Sequence, residues 1–165
     1  MPSALTIRNA GITDIAVIQH IAYQTWPAAY GNILSEAQLD YMLEKMYSEK
    51  ALQTQMEEGH QFFLAEKEEG PFGFASVSEE APEIFKLNKL YVLPHIQKTG
   101  AGKALLKEVI RYARSNKGKR LQLQVNRHNA AKHFYINQGF GIIREADTDI
   151  GNGFFMNDFI MEKLL

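Results

Sequence analysis

Apolar and polar residues alternate with two different periods along the chain, and the changes of period predict its elements. After a short strand at Leu5–Arg8, apolar residues recur every three or four positions, which predicts three helices. The first helix begins with Thr13 as its N-cap and ends at Trp26-Pro27, the second begins at Ser35, and the third covers residues 48–58. The first third of the chain is therefore predicted to be mainly helical.

The middle of the chain changes to the two-residue period of a strand. Gln61–Lys67 and Phe72–Ser78 flank a Glu-Glu-Gly-Pro turn, which predicts a hairpin. Ile84–Leu93 follows as a third and longer strand that ends at a proline.

The C-terminal half alternates helices with strands. Its predicted elements are a helix from Gly100 to about Asn116, a strand at Leu121–Val125, a helix from Asn129 to Asn137, and strands at Phe140–Glu145 and Phe155–Glu162. The order of all elements mixes an antiparallel meander with crossover connections. It predicts an α/β (α+β) sandwich rather than a doubly wound parallel sheet.

Length and composition predict a single domain over residues 1–165, because 45% of the residues are hydrophobic and can form a core. The chain has no cysteine, which excludes disulfides, thiolate zinc sites and a cysteine nucleophile. No apolar run reaches the roughly 18 residues of a membrane span, and the first residues lack the pattern of a signal peptide. We therefore expect a cytoplasmic protein with no membrane partner.

Charged residues are distributed unevenly, although the formal net charge is only −1. Residues 1–95 contain 6 Lys/Arg and 13 Asp/Glu, whereas residues 96–165 contain 12 and 6. This asymmetry predicts that the acidic part receives a cation and that the basic part binds a polyanion. The alternative is that two solvated faces differ by chance.

A glycine-containing loop separates the strand Ile84–Leu93 from the following helix. Gly100 and Gly102 let a ligand approach the backbone closely, and the unpaired N–H groups of the first helical turn suit a phosphate. Lys98 and Lys103 add positive charge there. The alternative is that the glycines serve only a tight turn.

Two better-known phosphate-binding loops are excluded by the residues at this place. A Walker A loop needs glycine where Gln97 stands and Ser or Thr where Ala104 stands. A dinucleotide-binding fingerprint needs a third glycine at the position of Leu105.

A second motif follows the strand after this helix. Asn129 caps a short helix on which Ala131, Phe134 and Tyr135 share one face, and Gly139-Phe140 ends it. From the residues alone, Tyr135 is either a packed aromatic or a proton donor.

Together the two motifs resemble those of the GCN5-related N-acetyltransferase (GNAT) family, whose members move an acetyl group from acetyl-CoA to an amine. The matching residues are Gln97-x-x-Gly100-x-Gly102 with the preceding strand, and Asn129, Ala131, Phe134-Tyr135 and Gly139-Phe140 in the same order. The motifs cover about residues 84–140, and the order of elements extends the resemblance to nearly the whole chain. It implies a central mixed, mostly antiparallel sheet of six to seven strands flanked by helices.

The resemblance also implies roles for individual residues. The central strand is expected to splay at a bulge near Leu90–Val92, where its backbone would pair with the pantetheine arm and the Val92 N–H would act as oxyanion donor. Asn129 would contact the pantetheine, and Tyr135 would protonate the departing thiolate as general acid. The residues expected to bind the cofactor are Leu90, Tyr91, Val92, Gln97, Lys98, Thr99, Gly100, Ala101, Gly102, Lys103, Asn129 and Tyr135.

The base that takes a proton from the amine is not identified by the motifs, since family members differ in it and often use a chain of water molecules. No metal is expected, because His128 and His133 are five positions apart, a poor spacing for two ligands on one helix. The candidate bases are Glu83, Tyr30, Tyr91 and His95.

The acceptor is indicated only by a looser resemblance. Trp26-Pro27-Ala28-Ala29-Tyr30-Gly31 and Leu39-Asp40-Tyr41-Met42 resemble the corresponding stretch of bacterial polyamine (spermidine/spermine) N-acetyltransferases. Aromatic rings beside carboxylates would suit an alkylammonium group, although the rings could equally pack the helices together. The candidates are Trp26, Tyr30 and Tyr41 with the carboxylates Asp40 and Glu44.

The leading hypothesis is transfer of an acetyl group to a small amine, with polyamines first and a protein N-terminus or lysine second. A non-catalytic CoA-binding sensor is the alternative from another class, and the presence of Tyr135 speaks against it. Nucleic acid is not expected as a partner, because the lysines concentrate at the loop and no surface aromatics are interleaved with them. A homodimer, common in the family, remains open.

Overall fold

Seven strands form one mixed sheet in a computed structural model, which describes residues 4–96 and 99–165. The strands are β1 (Thr6–Ala10), β2 (Gln61–Lys67), β3 (Gly70–Ala81), β4 (Ile84–Val92), β5 (Arg120–Asn126), β6 (Gly141–Gly151) and β7 (Phe154–Leu164). Their order across the sheet is β1-β2-β3-β4-β5-β7-β6. Only β4 and β5 are parallel, and the other neighbours are antiparallel. The predicted α/β (α+β) class with a mostly antiparallel sheet is confirmed.

Five α-helices cover the two faces of this sheet. They are α1 (Ile15–Tyr30), α2 (Glu36–Tyr47), α3 (Glu49–Glu57), α4 (Ala101–Ser115) and α5 (Ala131–Asn137), with 3-10 turns at Ile12–Asp14 and Pro94–Ile96. The hydroxyls of Ser35 and Ser48 accept N–H groups at the starts of α2 and α3, as expected of serine N-caps. Among the described residues, no helix has both the length and the apolar character that a membrane crossing requires.

Aromatic contacts show which helices cover which face. Tyr112 of α4 packs edge-on against Phe63 and Phe85, so α4 lies on their side of the sheet. On the other side, Tyr47 of α2 packs against Phe74. Each fully buried side chain of this size contributes roughly 1.5–3 kcal/mol relative to its exposed state.

Helix α1 continues past Pro27, so the predicted end at Trp26-Pro27 is wrong. Pro27 has no N–H and therefore removes one hydrogen bond from the helix, on the exposed face where Pro27 lies. On the other face, the rings of Trp26 and Tyr30 pack 4.8 Å apart and hold the last turn in place. The predicted N-cap Thr13 is also wrong. Thr13 lies within the preceding 3-10 turn, where the carboxylate of Asp14 accepts the N–H of Gly11.

The last two strands are longer than predicted and form a hairpin that α2 holds in place. β6 extends six residues beyond Glu145, because β7 pairs with it along nearly its whole length. Near its tip, the carbonyl of Ile150 accepts hydrogen bonds from the Tyr41 hydroxyl (2.7 Å) and from the Lys45 ammonium (2.8 Å).

The two central parallel strands separate halfway along their length. β4 and β5 pair over only four positions, from Ile84–Arg120 to Leu87–Leu123. A register shift against β3 leaves Asn88 without an opposite residue. The bulge therefore lies at Asn88, before the predicted position at Leu90–Val92. The resulting opening in the middle of the sheet positions the candidate site.

Candidate active site

A cavity of about 790 Å³ occupies the opening between β4 and β5. It extends from the N-terminus of α4, past the end of β4, to α5 and the C-terminal turns of α1. Among the sequence candidates, its lining includes Leu90, Tyr91, Val92, Thr99, Gly100, Ala101, Gly102, Lys103, Asn129 and Tyr135. The structure thus brings the two sequence motifs together on one cavity. Gln97 and Lys98 lie outside the described residues.

The N-terminus of α4 forms one end of the cavity. Gly100 precedes the helix with φ +85°, a left-handed conformation that favours glycine. Its carbonyl accepts the N–H of Ala104, so the N–H groups of residues 101–103 have no acceptor within the helix. Together with the Lys103 side chain, they provide positive charge for a phosphate group.

The backbone of β4 forms one wall of the cavity. The N–H of Leu93 donates to Phe72 on β3 at 2.8 Å, which defines the hydrogen-bonded positions of this antiparallel pair. Because these positions alternate, the main-chain groups of Leu90 and Val92 are directed away from β3, towards the opening.

Two motif residues from the C-terminal half complete the wall. Tyr135 is 8% exposed, its ring packs between Phe134 and Phe140, and burial raises the pKa of its hydroxyl. The hydroxyl is therefore protonated throughout the physiological range. The side-chain oxygen of Asn129 accepts the N–H of Ala131 at 2.9 Å. Asn129 thus lies one residue before Ala130, which is the N-cap of α5.

A pair of tyrosines closes the inner end of the cavity. The hydroxyls of Tyr30 and Tyr91 are 2.9 Å apart, and Tyr30 also lies within hydrogen-bonding reach of the Asn129 side chain. Burial is the largest cause that raises the pKa of both tyrosines. Both hydroxyls therefore hold their protons at neutral pH.

The other candidate bases lie away from this inner end. Glu83 is at the turn between β3 and β4, where it is exposed and forms an ion pair with Lys119 at 3.4 Å. His95 is exposed in the 3-10 turn after β4. Of the two histidines considered as metal ligands, His128 lines the cavity and His133 is exposed on α5.

Two of the aromatic acceptor candidates, Trp26 and Tyr41, pack against other side chains of the protein and line neither of the two cavities. Trp26 is 3% exposed, and its ring packs against Tyr30, Tyr47 and Tyr91 behind the cavity. Tyr41 packs on Phe154 and bonds to the hairpin. Only Tyr30 of the three lines a cavity. Asp40 and Glu44 are exposed on α2.

Two buried charged residues near the inner end were missed by the sequence prediction. Lys89 on β4 is 8% exposed and Asp158 on β7 is 2% exposed. Each is a charged residue within a predicted strand, where such residues are uncommon, and this is the signal that could have identified them. No Asp or Glu lines either cavity within residues 4–96 and 99–165. The expectation that the acidic N-terminal part forms the acceptor site thus finds no carboxylate in the lining of these two cavities, and it stays a prediction.

Comparison with known proteins gives a consistent result. The model of the acetyltransferase (GNAT) domain family matches residues 32–162. The chain belongs to the GNAT family. An uncharacterised N-acetyltransferase of Bacillus subtilis is 34% identical over 151 residues, which are 87% of this chain and 92% of that protein. This GNAT chain is accordingly an acetyl-CoA-dependent acyltransferase.

Two further similar proteins come from Thermoplasma acidophilum. A spermidine N(1)-acetyltransferase of Thermoplasma acidophilum is 26% identical and matches 97% of both chains. The crystal structure of PaiA N-acetyltransferase from Thermoplasma acidophilum in complex with coenzyme A has a TM-score of 0.83 at 26% identity, over 98% of this chain and 99% of the other.

The residues of the cavity fit the chemistry of coenzyme A in two respects. The N–H groups of residues 101–103 and Lys103 at the start of α4 suit a pyrophosphate, and the backbone of Leu90, directed away from β3, suits an amide of a pantetheine arm. The cavity joins these two features, and its volume is that of a typical small-molecule site.

Proposed function

We propose that the chain transfers the acetyl group of acetyl-CoA to the primary amine of a small molecule, by direct attack in a ternary complex. The observation that carries this proposal is the continuous cavity from the N-terminus of α4, through the opening between β4 and β5, to Tyr135. When bound, acetyl-CoA supplies an acetyl thioester, whose carbonyl carbon gains the amine nitrogen and loses the sulfur. No nucleophile of the protein is needed.

The backbone of β4 would hold the thioester end. Leu90 and Val92 direct their main-chain groups into the opening, where they can pair with the pantetheine. The Val92 N–H is the proposed donor to the thioester carbonyl oxygen, since a fixed dipole at that oxygen stabilises the charge that develops on it. The Asn129 side chain, which reaches the same wall from the start of α5, would contact the pantetheine.

Tyr135 is the proposed general acid. Its ring is fixed by Phe134 and Phe140, and its hydroxyl is neutral at physiological pH because burial raises its pKa. It lines both the large cavity and a smaller one behind it. A protonated hydroxyl at this place can donate to the departing thiolate.

Asp158 is the proposed base for the proton of the incoming amine. It is paired with Asn126 at the end of β5, beyond the last pair of β5 with β4, and its charge acts on Tyr30 at the inner end of the cavity. Its Oδ2 atom is buried without a hydrogen-bond partner among the described residues. Burial raises its pKa to about 6, so the carboxyl is ionised at neutral pH and can accept a proton, directly or through water.

A polyamine is the first acceptor to test, supported by the spermidine-acetylating relative from Thermoplasma acidophilum and by the stretch that begins at Trp26. The test is to incubate the protein with acetyl-CoA and a panel of amines that includes spermidine, and to follow the release of free thiol. Release above the rate of hydrolysis with at least one amine supports the proposal. Binding of CoA without transfer to any amine would contradict it and favour the non-catalytic sensor.

A further inference from the structure

A second, smaller cavity of about 50 Å³ lies behind the large one, between the separated parts of β4 and β5. The two cavities share Leu90, Tyr91, Asn129, Ala131 and Tyr135 in their linings. Under the proposed function, the thioester lies at these shared residues. The smaller cavity is therefore the place where the acceptor amine and its nearest substituents are held.

Lys89 brings an uncompensated charge to this smaller cavity. It lines the cavity, is 8% exposed, and forms no ion pair or hydrogen bond with the residues that the structure describes. Its Nζ lies 4.6 Å from the centre of the Tyr47 ring. A cation–π contact offsets only part of the cost of burying an ammonium group. Burial lowers the pKa of Lys89 to about 8, so most of the molecules carry the charge at neutral pH.

The bulge at Asn88 places a second lysine on the same face. Leu87 is opposite Val77 and Lys89 is opposite Ser76, so Leu87 and Lys89 point to different faces although they are two residues apart. Lys86 therefore shares the face of Lys89.

Neither lysine has an ion pair among the described residues. The ammonium of Lys86 donates to Oε1 of Gln124, a neutral residue that lines the smaller cavity. Burial and the charges of Lys89 and Lys86 lower the pKa of half-buried His60, while the exposed carboxylates Glu58 and Glu80 act in the opposite direction. The nearest carboxylate deep in the structure is Asp158, on the other side of the opening on β7.

The ammonium of Lys89 thus lines the smaller cavity from β4 without an ion pair among the described residues. The carboxylate of Asp158, whose Oδ2 has no hydrogen-bond partner there, lies outside the lining on β7. We propose that the acceptor carries an anionic group close to its amine, with the anion bound by Lys89 and Lys86 and the amine next to Asp158. The substrate class is a zwitterionic primary amine that bears a carboxylate or a phosphate. A polyamine would instead place a second cation against Lys89. This inference rests on the proposed function.

Matched pairs of amines test the inference directly on the wild-type protein. Ornithine and 1,4-diaminobutane differ by one carboxylate, and 2-aminoethyl phosphate and ethanolamine differ by one phosphate. We expect at least one anion-bearing member to have a kcat/KM about 10-fold or more above that of its partner. The two pairs distinguish a carboxylate from a phosphate. A higher kcat/KM for 1,4-diaminobutane and for spermidine than for the anion-bearing amines would overturn the inference while the proposed function stands.

Variants of Lys89 then assign the effect to this residue. Lys89→Met is expected to lower kcat/KM for the preferred anion-bearing amine by about 10- to 100-fold, and to lower it less, or to raise it, for the partner that lacks the anionic group. Lys89→Arg should retain the preference. Lys50→Met, on the exposed surface of α3, is the matched control. An equal loss for both members of a pair would contradict the inference.

Two readouts separate failure of the inference from other failures. CoA affinity by calorimetry should be unchanged in Lys89→Met, because Lys89 does not line the large cavity. If the wild-type protein binds CoA but releases no thiol with any amine, the proposed function fails and the inference fails with it.

Discussion

The ammonium group of Lys89 lies 4.6 Å from the centre of the Tyr47 ring and forms no ion pair within residues 4–96 and 99–165. A buried charge with only an aromatic face beside it destabilises the folded state. Such an arrangement is expected at a functional site, where stability is lost in favour of binding.

Replacing Lys89 should therefore stabilise the protein. Lys89→Met keeps the length of the side chain and removes the charge, so the free energy of unfolding at pH 7 should rise by about 1–3 kcal/mol. Chemical denaturation measures it, with exposed Lys50→Met as the control. A destabilised Lys89→Met protein would mean that the ammonium has a structural partner.

The same lysine predicts how stability changes with pH. Its pKa is lowered from 10.5 to about 8 in the folded state, so the unfolded chain binds more protons between these values. The free energy of unfolding of the wild-type protein should therefore gain a contribution from Lys89 as pH rises from about 8 to 10.5. In Lys89→Met this contribution should be absent, as comparison of the two denaturation profiles would show.

Asp158→Asn should remove a step from the pH profile of the reaction. The raised pKa of Asp158, about 6, predicts that kcat/KM increases with pH through that value as the carboxyl becomes ionised. The variant should lose this step and about 100-fold in kcat/KM at pH 7. Glu57→Gln, an exposed change on α3, is the control.

The stability and the pH profile of Asp158→Asn together distinguish a base from a merely structural residue. The pKa of Asp158 is raised from 3.8 to about 6 in the folded state, so ionisation of Asp158 destabilises the folded state relative to the unfolded chain at pH 7, and Asp158→Asn should be as stable as the wild type or more stable at that pH. A folded variant that keeps the wild-type pH profile would exclude Asp158 as the base.

Tyr135→Phe should slow the reaction without loss of cofactor binding. The change removes only the hydroxyl, so kcat should fall by about 10- to 1,000-fold while CoA affinity stays within about 3-fold. Tyr112→Phe is the matched control, because Tyr112 packs between Phe63 and Phe85 away from both cavities. An unchanged kcat in Tyr135→Phe would assign this tyrosine to packing.

Gly100→Ala should weaken CoA binding through the backbone. A side chain at φ +85° strains the residue before α4 by about 1–2 kcal/mol and displaces the N–H groups that follow. We expect the Kd of CoA to rise by about 10-fold. Gly59→Ala imposes a similar strain at φ +95° after α3, at a residue that does not line the large cavity, and should lower stability without changing that Kd. Equal Kd values for both variants would contradict the proposed role of α4.

Local patterns in the sequence were sufficient to predict the order of the strands and α-helices that the structure describes, and the motif residues that line the large cavity. Glycine, capping residues and the period of apolar positions act over a few residues, so α4 with Gly100 and the helix with Tyr135 could be located. The errors arise where contacts between distant parts of the chain determine the end of an element. Trp26 packing carries α1 past Pro27, and pairing with β7 extends β6.

The acceptor side depended on register, which local patterns do not specify. One extra residue at Asn88 decides that Lys89 faces the smaller cavity, and it appears only when β3 and β4 are paired. Asp158 likewise comes to lie next to Asn126, beyond the last pair of β4 with β5, through the pairing of β7 with β5.

The pairing of β4 with β5 ends at Leu87, and this affects which substitutions the rest of β4 can tolerate. The edge of a strand beyond its partner normally invites association with other chains, but here the edge of β4 past Leu87 lines a cavity inside the molecule. Under the proposed function main-chain atoms recognise the cofactor, so the side chains of Leu90 and Val92 need only fit their surroundings. Substitutions by other apolar residues at these positions should therefore accumulate without loss of the cofactor.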